Sequence, residues 1–175
     1  MTTQRFVWQR EKAAQFPGMI LNVGSNEDPA YLKQTVGLRL LNCDIETVDS
    51  ALNRPNKVDI LFDAVKQKWP FPDNYANLVI LGDIIEHLKP EDCITILKEA
   101  RRVSPNVAIT VPNDARVEII SQIAPVSNPY IYHQTVVTEK YLRDMLENTG
   151  WQILEWKTVD YTFVPEGYFV LATRK

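Results

Sequence analysis

The feature that most constrains this chain is the run from Asn77 to Val111, where an apolar stretch NLVILGD, an amphipathic stretch KPEDCITILKEARRV and a second apolar stretch NVAITV follow one another. Strands apolar on both faces are buried between layers, and two such strands joined by a helix run parallel, so the segment predicts a βαβ unit inside an α/β sheet. Pro90 suits the first helical turn, Glu91 and Asp92 suit its positive end, and Arg101 and Arg102 suit the other. Ile94, Leu97 and Ala100 are predicted to face the sheet.

The alternation extends in both directions. A helix is predicted over Thr3 to Gln15, broken by Pro17 and Gly18, then a strand MILNV from Met19 to Val23, a polar turn GSNED and a short helix AYLKQTV stopped by Gly37. Strands LRLLNCD and KVDILFDA end at Asp44 and near Asp63, joined by a polar link with Asn53, Pro55 and Asn56 that is too short for a crossover helix. The aromatic and proline-rich loop QKWPFPDNYA then leads into the strand from Asn77 to Asp83, the most apolar in the chain and hence read as central. Residues 114–134 read as an inserted lid or substrate wall within a single domain over 1–175. Thr138 is predicted to cap the helix EKYLRDMLENT and Gly150 to end it, before a hairpin of WQILEWKTVDY and GYFVLATRK with its turn at Pro165 to Gly167. The predicted fold is α/β and Rossmann-like, a mostly parallel seven-stranded sheet with a C-terminal antiparallel hairpin, and its ligand crevice lies at the carboxyl ends of the strands.

Several function classes are excluded by charge and patterning. With 45% hydrophobic residues the chain can build one core, and its net charge of −3 without any basic stripe argues against nucleic-acid binding. Cys43 and Cys93 sit far apart in apolar segments and read as core thiols, so neither a disulfide nor a metal site is expected. The opening residues lack the apolar core of a signal peptide, and no apolar run reaches the roughly 18 residues that cross a bilayer, so a cytoplasmic protein without membrane contacts is expected. The composition is compatible with a homodimer.

Two positions suggest a ligand before any family is invoked. Gly24, in the bend after the first strand, allows backbone N–H groups to approach a polar ligand where a side chain would clash, although an ordinary turn has the same look. Asp44, about 20 residues further on and at the end of the next strand, stands where a carboxylate grips a ribose diol. The neighbouring Glu46 and Asp49 leave open that it is one solvated acid among several.

From Asp63 to Leu88 the run DAVKQKWPFPDNYANLVILGDIIEHL resembles the pattern of class I S-adenosylmethionine-dependent methyltransferases of the small-molecule group: an Asp-Ala pair, a Pro-Phe-Pro-Asp loop, an apolar strand and a closing Glu-His-Leu. The resemblance spans nearly the whole chain. It implies the Rossmann-like methyltransferase fold, S-adenosyl-L-methionine as cofactor and a small-molecule methyl acceptor. It places Asn22, Gly24, Ser25 and Asn26 beside the methionine and ribose, Asp44 with Ile45 at the ribose, and Asp63 with Ala64 at the adenine amino group. Leu81, Gly82 and Asp83 then lie under the sulfonium. Family members usually carry an acid where Asn22 stands and glycines where Asn26 and Asp28 stand, so the first turn here is bulkier and lacks a carboxylate.

Methyl transfer chiefly demands in-line positioning and exclusion of water, with a base where the nucleophile must lose a proton. His87 and His133, the chain's only histidines, are the candidate catalytic bases; the alternative for His87 is a structural role beside Glu86, and for His133 a place in an aromatic cluster with Tyr130 and Tyr132. Trp69 and Phe71 are expected to anchor their loop to the body of the domain, the alternative being contact with the adenine. A second reading of the whole chain is a non-catalytic binding or partner protein on the same fold.

Overall fold

The computed structural model describes residues 4–25, 32, 36–45, 48–49, 54–55, 58–113, 133–161 and 164–175. In chain order these form α1 (Gln4–Gln15), β1 (Ile20–Val23), β2 (Leu40–Asp44), β3 (Val48–Asp49), β4 (Arg54–Pro55), β5 (Ile60–Leu61) and β6 (Leu78–Gly82). Then come α2 (Pro90–Val103), β7 (Asn106–Pro112), α3 (Glu139–Asn148), β8 (Trp151–Tyr161) and β9 (Val164–Arg174). Seven strands make one sheet in the order β5-β2-β1-β6-β7-β9-β8, parallel from β5 to β7 and antiparallel at β9 and β8. This is the sheet expected from the alternation of patterns.

Side chains leave a strand on alternate faces, which explains why β6 is apolar throughout. Leu78 and Ile80 join Trp8, Ala13, Ile20, Leu40 and Ala108 in a layer under α1, while Val79 and Leu81 join the larger layer under α2 and α3. Cys43 and Cys93 are free and buried in that larger layer, and burial pushes each thiol up to about 12, so both behave as small core residues.

Pro90 opens α2, with Cys93, Ile96, Leu97, Ala100 and Val103 buried. Ile94 does not face the sheet as expected: it is 39% exposed, because the helical stripe passes through Cys93, Leu97 and Ala100 on one side and Ile96 and Val103 beside it. Thr138 caps α3 by accepting the Tyr141 N–H at 3.2 Å, as its sequence predicts.

Two local features add to the expected pattern and one expectation fails. The link between β2 and β5 carries a small antiparallel ladder, Val48–Asp49 against Arg54–Pro55, which short polar segments do not announce. Gly37, with φ 63°, follows the helical Val36 as a stop should, and it also begins a 3-10 turn, Gly37–Arg39, that leads into β2. Pro165, Glu166 and Gly167 lie inside β9 rather than in the hairpin turn, since Tyr161 already pairs with Val164. Most of the expected helix AYLKQTV, the turn residues Asn26 to Pro29 and residues 114–132 of the proposed lid, with Tyr130 and Tyr132, lie outside the described residues.

Candidate functional site

The sheet reverses its direction of winding between β1 and β6: the chain runs from β1 outward through β2 to β5, and from β6 outward through β7. A crevice opens at the carboxyl end of a sheet at such a reversal, because the two connections leave on opposite sides. Val23 pairs with Leu81, so Gly24 and Gly82 each stand one residue further along, bordering this point. Asp44 ends the adjacent β2, and Asp63 follows β5 beyond it.

At Gly24 the backbone has φ +72°, and a Cβ would come within 2.8 Å of Ile84 Cδ1. Glycine is required there both by the left-handed conformation and by the close approach of the segment after β6. The N–H groups of Gly24 and Ser25 donate to the Cys43 carbonyl at 2.9 and 3.3 Å, which locks the turn onto β2. These amides therefore hold the turn's shape rather than face a ligand. The buried Ser25 Oγ makes no hydrogen bond among the described residues, and is the polar group this turn offers.

Asn22 lies in register with Asn42 and donates to its Oδ1 at 3.1 Å, both side chains buried. The side-chain Nδ2 of Asn42 is likewise buried without a hydrogen bond among the described residues, so the pair forms a polar seam between β1 and β2 where an acid would have brought a charge. Asp44 Oδ1 accepts the Ile45 N–H at 2.7 Å, orienting its carboxylate at the strand end. Asp63 Oδ1 accepts the Val65 and Lys66 N–H groups at 2.9 and 3.0 Å, and Lys66 Nζ stands 3.5 Å from Oδ2. The aspartate thereby builds the turn that presents Ala64, whose carbonyl accepts Trp69 Nε1–H at 2.9 Å.

Trp69 and Phe71 are buried beside Phe62, with ring centroids 5.9 Å from it in both cases. Arg102 of α2 donates to the carbonyls of Trp69 at 3.2 Å and Phe71 at 2.8 Å, and binds Glu99 at 2.7 Å; Glu99 in turn accepts the Trp69 N–H. The hydrogen bond from Arg102 holds the Glu99 carboxyl below the usual range. The loop is anchored to the body, the first of the two roles weighed for it.

At the end of β6, Leu81 points into the core and offers the site only its backbone. Gly82 is pressed by α1: a Cβ there would lie 2.5 Å from Gln9 Nε2, which donates to Thr110 Oγ1 at 2.9 Å. Asp83 takes a left-handed backbone, φ 52°, tolerable for aspartate, and its carboxylate is paired with Arg5 and accepts from Thr110 Oγ1 at 3.3 Å. The N-terminal helix thus closes over the strand ends, a contact that no local pattern around Arg5 or Gln9 signalled.

His87 and His133 come together. Gln134 and Thr135 donate their N–H groups to the Glu86 carbonyl at 2.6 and 3.1 Å, Gln134 Nε2 to the His87 carbonyl at 2.7 Å, and Thr135 Oγ1 to the Leu88 carbonyl at 2.6 Å. That ladder sets the two imidazoles edge to face with centroids 4.7 Å apart, and Glu86 Oε1 lies 3.9 Å from His87 Nε2.

No family profile and no curated protein matches the chain in sequence. Solved structures do match it in shape. An S-adenosylmethionine-dependent methyltransferase from Archaeoglobus fulgidus superposes with a TM-score of 0.66 at 18% identity, covering 97% of this chain and 93% of that one. The fold is that of the class I methyltransferases. Magnesium protoporphyrin IX methyltransferase from Synechocystis, solved with S-adenosylmethionine, matches at TM-score 0.64 and 15% identity over 98% of this chain and 79% of its own. The Burkholderia thailandensis 1,6-didemethyltoxoflavin-N1-methyltransferase, solved with its acceptor and S-adenosylhomocysteine, matches at 0.65 and 16% over 98% and 81%. The class I methyltransferase fold, with its switch point between β1 and β6, is therefore the frame within which Gly24, Asp44, Asp63 and Gly82 are to be read. Among the described residues no helix is long and apolar enough to cross a membrane.

Proposed function

We propose that this protein is an S-adenosylmethionine-dependent methyltransferase acting on a small-molecule acceptor. The observation that carries the reading is the convergence of Gly24, Asp44, Asp63 and Gly82 on the carboxyl ends of four adjacent parallel strands, around the reversal between β1 and β6. Such an edge suits an elongated nucleoside: Asp44 accepts from the ribose hydroxyls, the Asp63 turn with Ala64 borders the adenine, and Ser25 Oγ and the amides of Asn22 and Asn42 supply neutral polar contacts at the amino-acid end. The orphaned Ser25 hydroxyl fits a bound ligand.

The cofactor, when bound, supplies an electrophilic methyl group on a sulfonium. The protein then has to hold the acceptor in line, exclude water and take up a proton where the acceptor carries one. His87 and His133 are the groups able to receive that proton. Asp83 is held by Arg5, so its charge is shared, and the backbone at Gly82 and Asp83 is what remains to meet the sulfonium.

One observation favours the second reading, a binding protein that has lost catalysis: Asn22 is bonded to Asn42, and the described residues of this seam offer an amide pair where a carboxylate would meet the cofactor's ammonium group. Calorimetric titration with S-adenosylmethionine and with S-adenosylhomocysteine separates the two. The enzyme reading expects saturable one-site binding of both. Absence of heat from either at millimolar ligand overturns it in favour of the non-catalytic protein.

A further inference from the structure

The sequence alone gives no reason to expect a metal, since its cysteines are buried and its histidines lie far apart in the chain. The folded chain alters that. The geometry points to a binding site for a first-row transition-metal dication such as zinc, held by Glu86, His87 and His133. One ligand atom from each of the three lies within 4.8 Å of the others. Around zinc, with metal–ligand bonds of about 2.0–2.1 Å, tetrahedral ligand atoms stand about 3.4 Å apart. Side-chain rotation closes that difference, because the carboxylate and both rings already meet at one place.

Three features make this cluster more than an accident of surface histidines. The first is its support: four hydrogen bonds tie Gln134 and Thr135 to the carbonyls of Glu86, His87 and Leu88, so the backbone of both histidines is fixed before any ion arrives. The second is Glu86, only 1% exposed. Its carboxylate stands beside two imidazoles, and a dication held among the three would be met by an anionic oxygen kept from bulk water. The third is chemical type. Two imidazoles and one carboxylate suit zinc or another late first-row ion and suit magnesium or calcium poorly, since those prefer oxygen ligands.

The side chain of His87 is 23% exposed and that of His133 is half-buried, so the cluster opens to solvent on the histidine side. Three protein ligands leave a coordination position for water or a ligand atom, the arrangement of a reactive rather than a purely structural zinc site. The inference does not depend on methyl transfer, and the site could be present in an enzyme or in a binding protein of this fold.

The test uses the full chain without a histidine tag, stripped by chelator and titrated with zinc chloride. Because the chain contains only two histidines, their ring proton signals in a one-dimensional NMR spectrum can be followed without ambiguity. Both signals are expected to move together and stop moving at one equivalent of zinc. Cobalt(II) is expected to give the visible absorption of a low-symmetry, nitrogen-containing site. His133→Ala and His87→Ala, at partly exposed positions that should leave the metal-free fold unchanged, are each expected to weaken zinc by more than the roughly 10–100-fold that loss of an outer-shell partner costs. Zinc that leaves either histidine signal of the wild-type chain unmoved overturns the site, whatever the variants do. So does unchanged zinc affinity in both variants.

Discussion

Gly82→Ala tests how the N-terminal helix meets the end of the central strand. The backbone at Gly82 is open to any residue, so the cost is steric: the new methyl would lie 2.5 Å from Gln9 Nε2. Gln9 can turn away only by giving up its bond to Thr110 Oγ1, and these residues are 3% and 0% exposed, so water does not replace it. A net hydrogen bond of about 0.5–1.5 kcal/mol is lost and a buried polar group is left poorly satisfied at about 1–3 kcal/mol, giving about 1.5–4.5 kcal/mol in all. For a chain of this size that lowers the thermal midpoint by about 2–4 °C per kcal/mol. Gln9→Ala alone loses the same bond and should cost a similar amount. In the double variant the methyl added at Gly82 enters the space that Gln9 vacates, so its stability should match Gln9→Ala alone, and the coupling between the sites equals the cost of Gly82→Ala, about 1.5–4.5 kcal/mol. Urea denaturation of the four proteins measures this cycle. Additive costs, within about 0.5 kcal/mol, refute the contact. Cofactor titration of the same set adds a second reading: if Gly82 is small for the ligand's sake as well, the double variant recovers stability relative to the sum but not affinity.

Asp44→Ala should weaken S-adenosylmethionine binding by about 1.5–3 kcal/mol, the worth of a charge-assisted hydrogen bond, and leave the unfolding midpoint nearly unchanged; an unaltered dissociation constant in calorimetry removes Asp44 from the ribose. Arg102→Met should cost about 2–3 kcal/mol in urea denaturation, because the Trp69 and Phe71 carbonyls and Glu99 lose their shared donor, and hydrogen exchange should rise in residues 68–73. The third prediction concerns acid. Burial raises the Glu155 pKa, but hydrogen bonds from Lys12, Trp8 and Lys157 overcome it and hold the carboxyl at about 2, against an ordinary 4.5. A depressed folded pKa gives stability that is complete above the unfolded value and lost as pH falls through the folded one. Wild type should therefore lose stability between pH 4.5 and 2 more steeply than Glu155→Gln, and parallel urea midpoints over that window would disprove the tether between α1 and β8.

The sheet was legible because its signals are local: β6 and β7 are apolar on both faces, α2 carries its charges at the favourable ends, and Thr138 stands where a cap belongs. The places of Gly24 and Asp44 at the ends of adjacent parallel strands were legible for a related reason, since each follows directly on an apolar run. What escaped was set by contacts between distant parts of the chain. Arg5 and Gln9 lie in a polar helix whose sequence says only that one face is wet, yet they reach Asp83 and Thr110 and so decide how much charge and space the end of β6 retains. Sequence leaves the N–H groups of the first turn free to face a ligand or to hold an ordinary turn, and register decides for the second: it places the Cys43 carbonyl within their reach as an acceptor at 2.9 Å.

The histidines carry this difference furthest. Read along the chain, His87 and His133 compete for one role, because a single base is all that methyl transfer asks. In the fold they are partners, brought edge to face by a ladder that begins at the Glu86 carbonyl. A pair of imidazoles beside a buried carboxylate has two uses that a lone base does not: it can share a proton across the cluster, or it can hold an ion that replaces the proton. The two uses exclude one another at any moment, since a protonated imidazole nitrogen cannot bind metal. If zinc occupies the cluster, a base acting on the acceptor must come from water or ligand atoms on the ion, and removal of zinc should then alter the pH profile of methyl transfer and not only its rate.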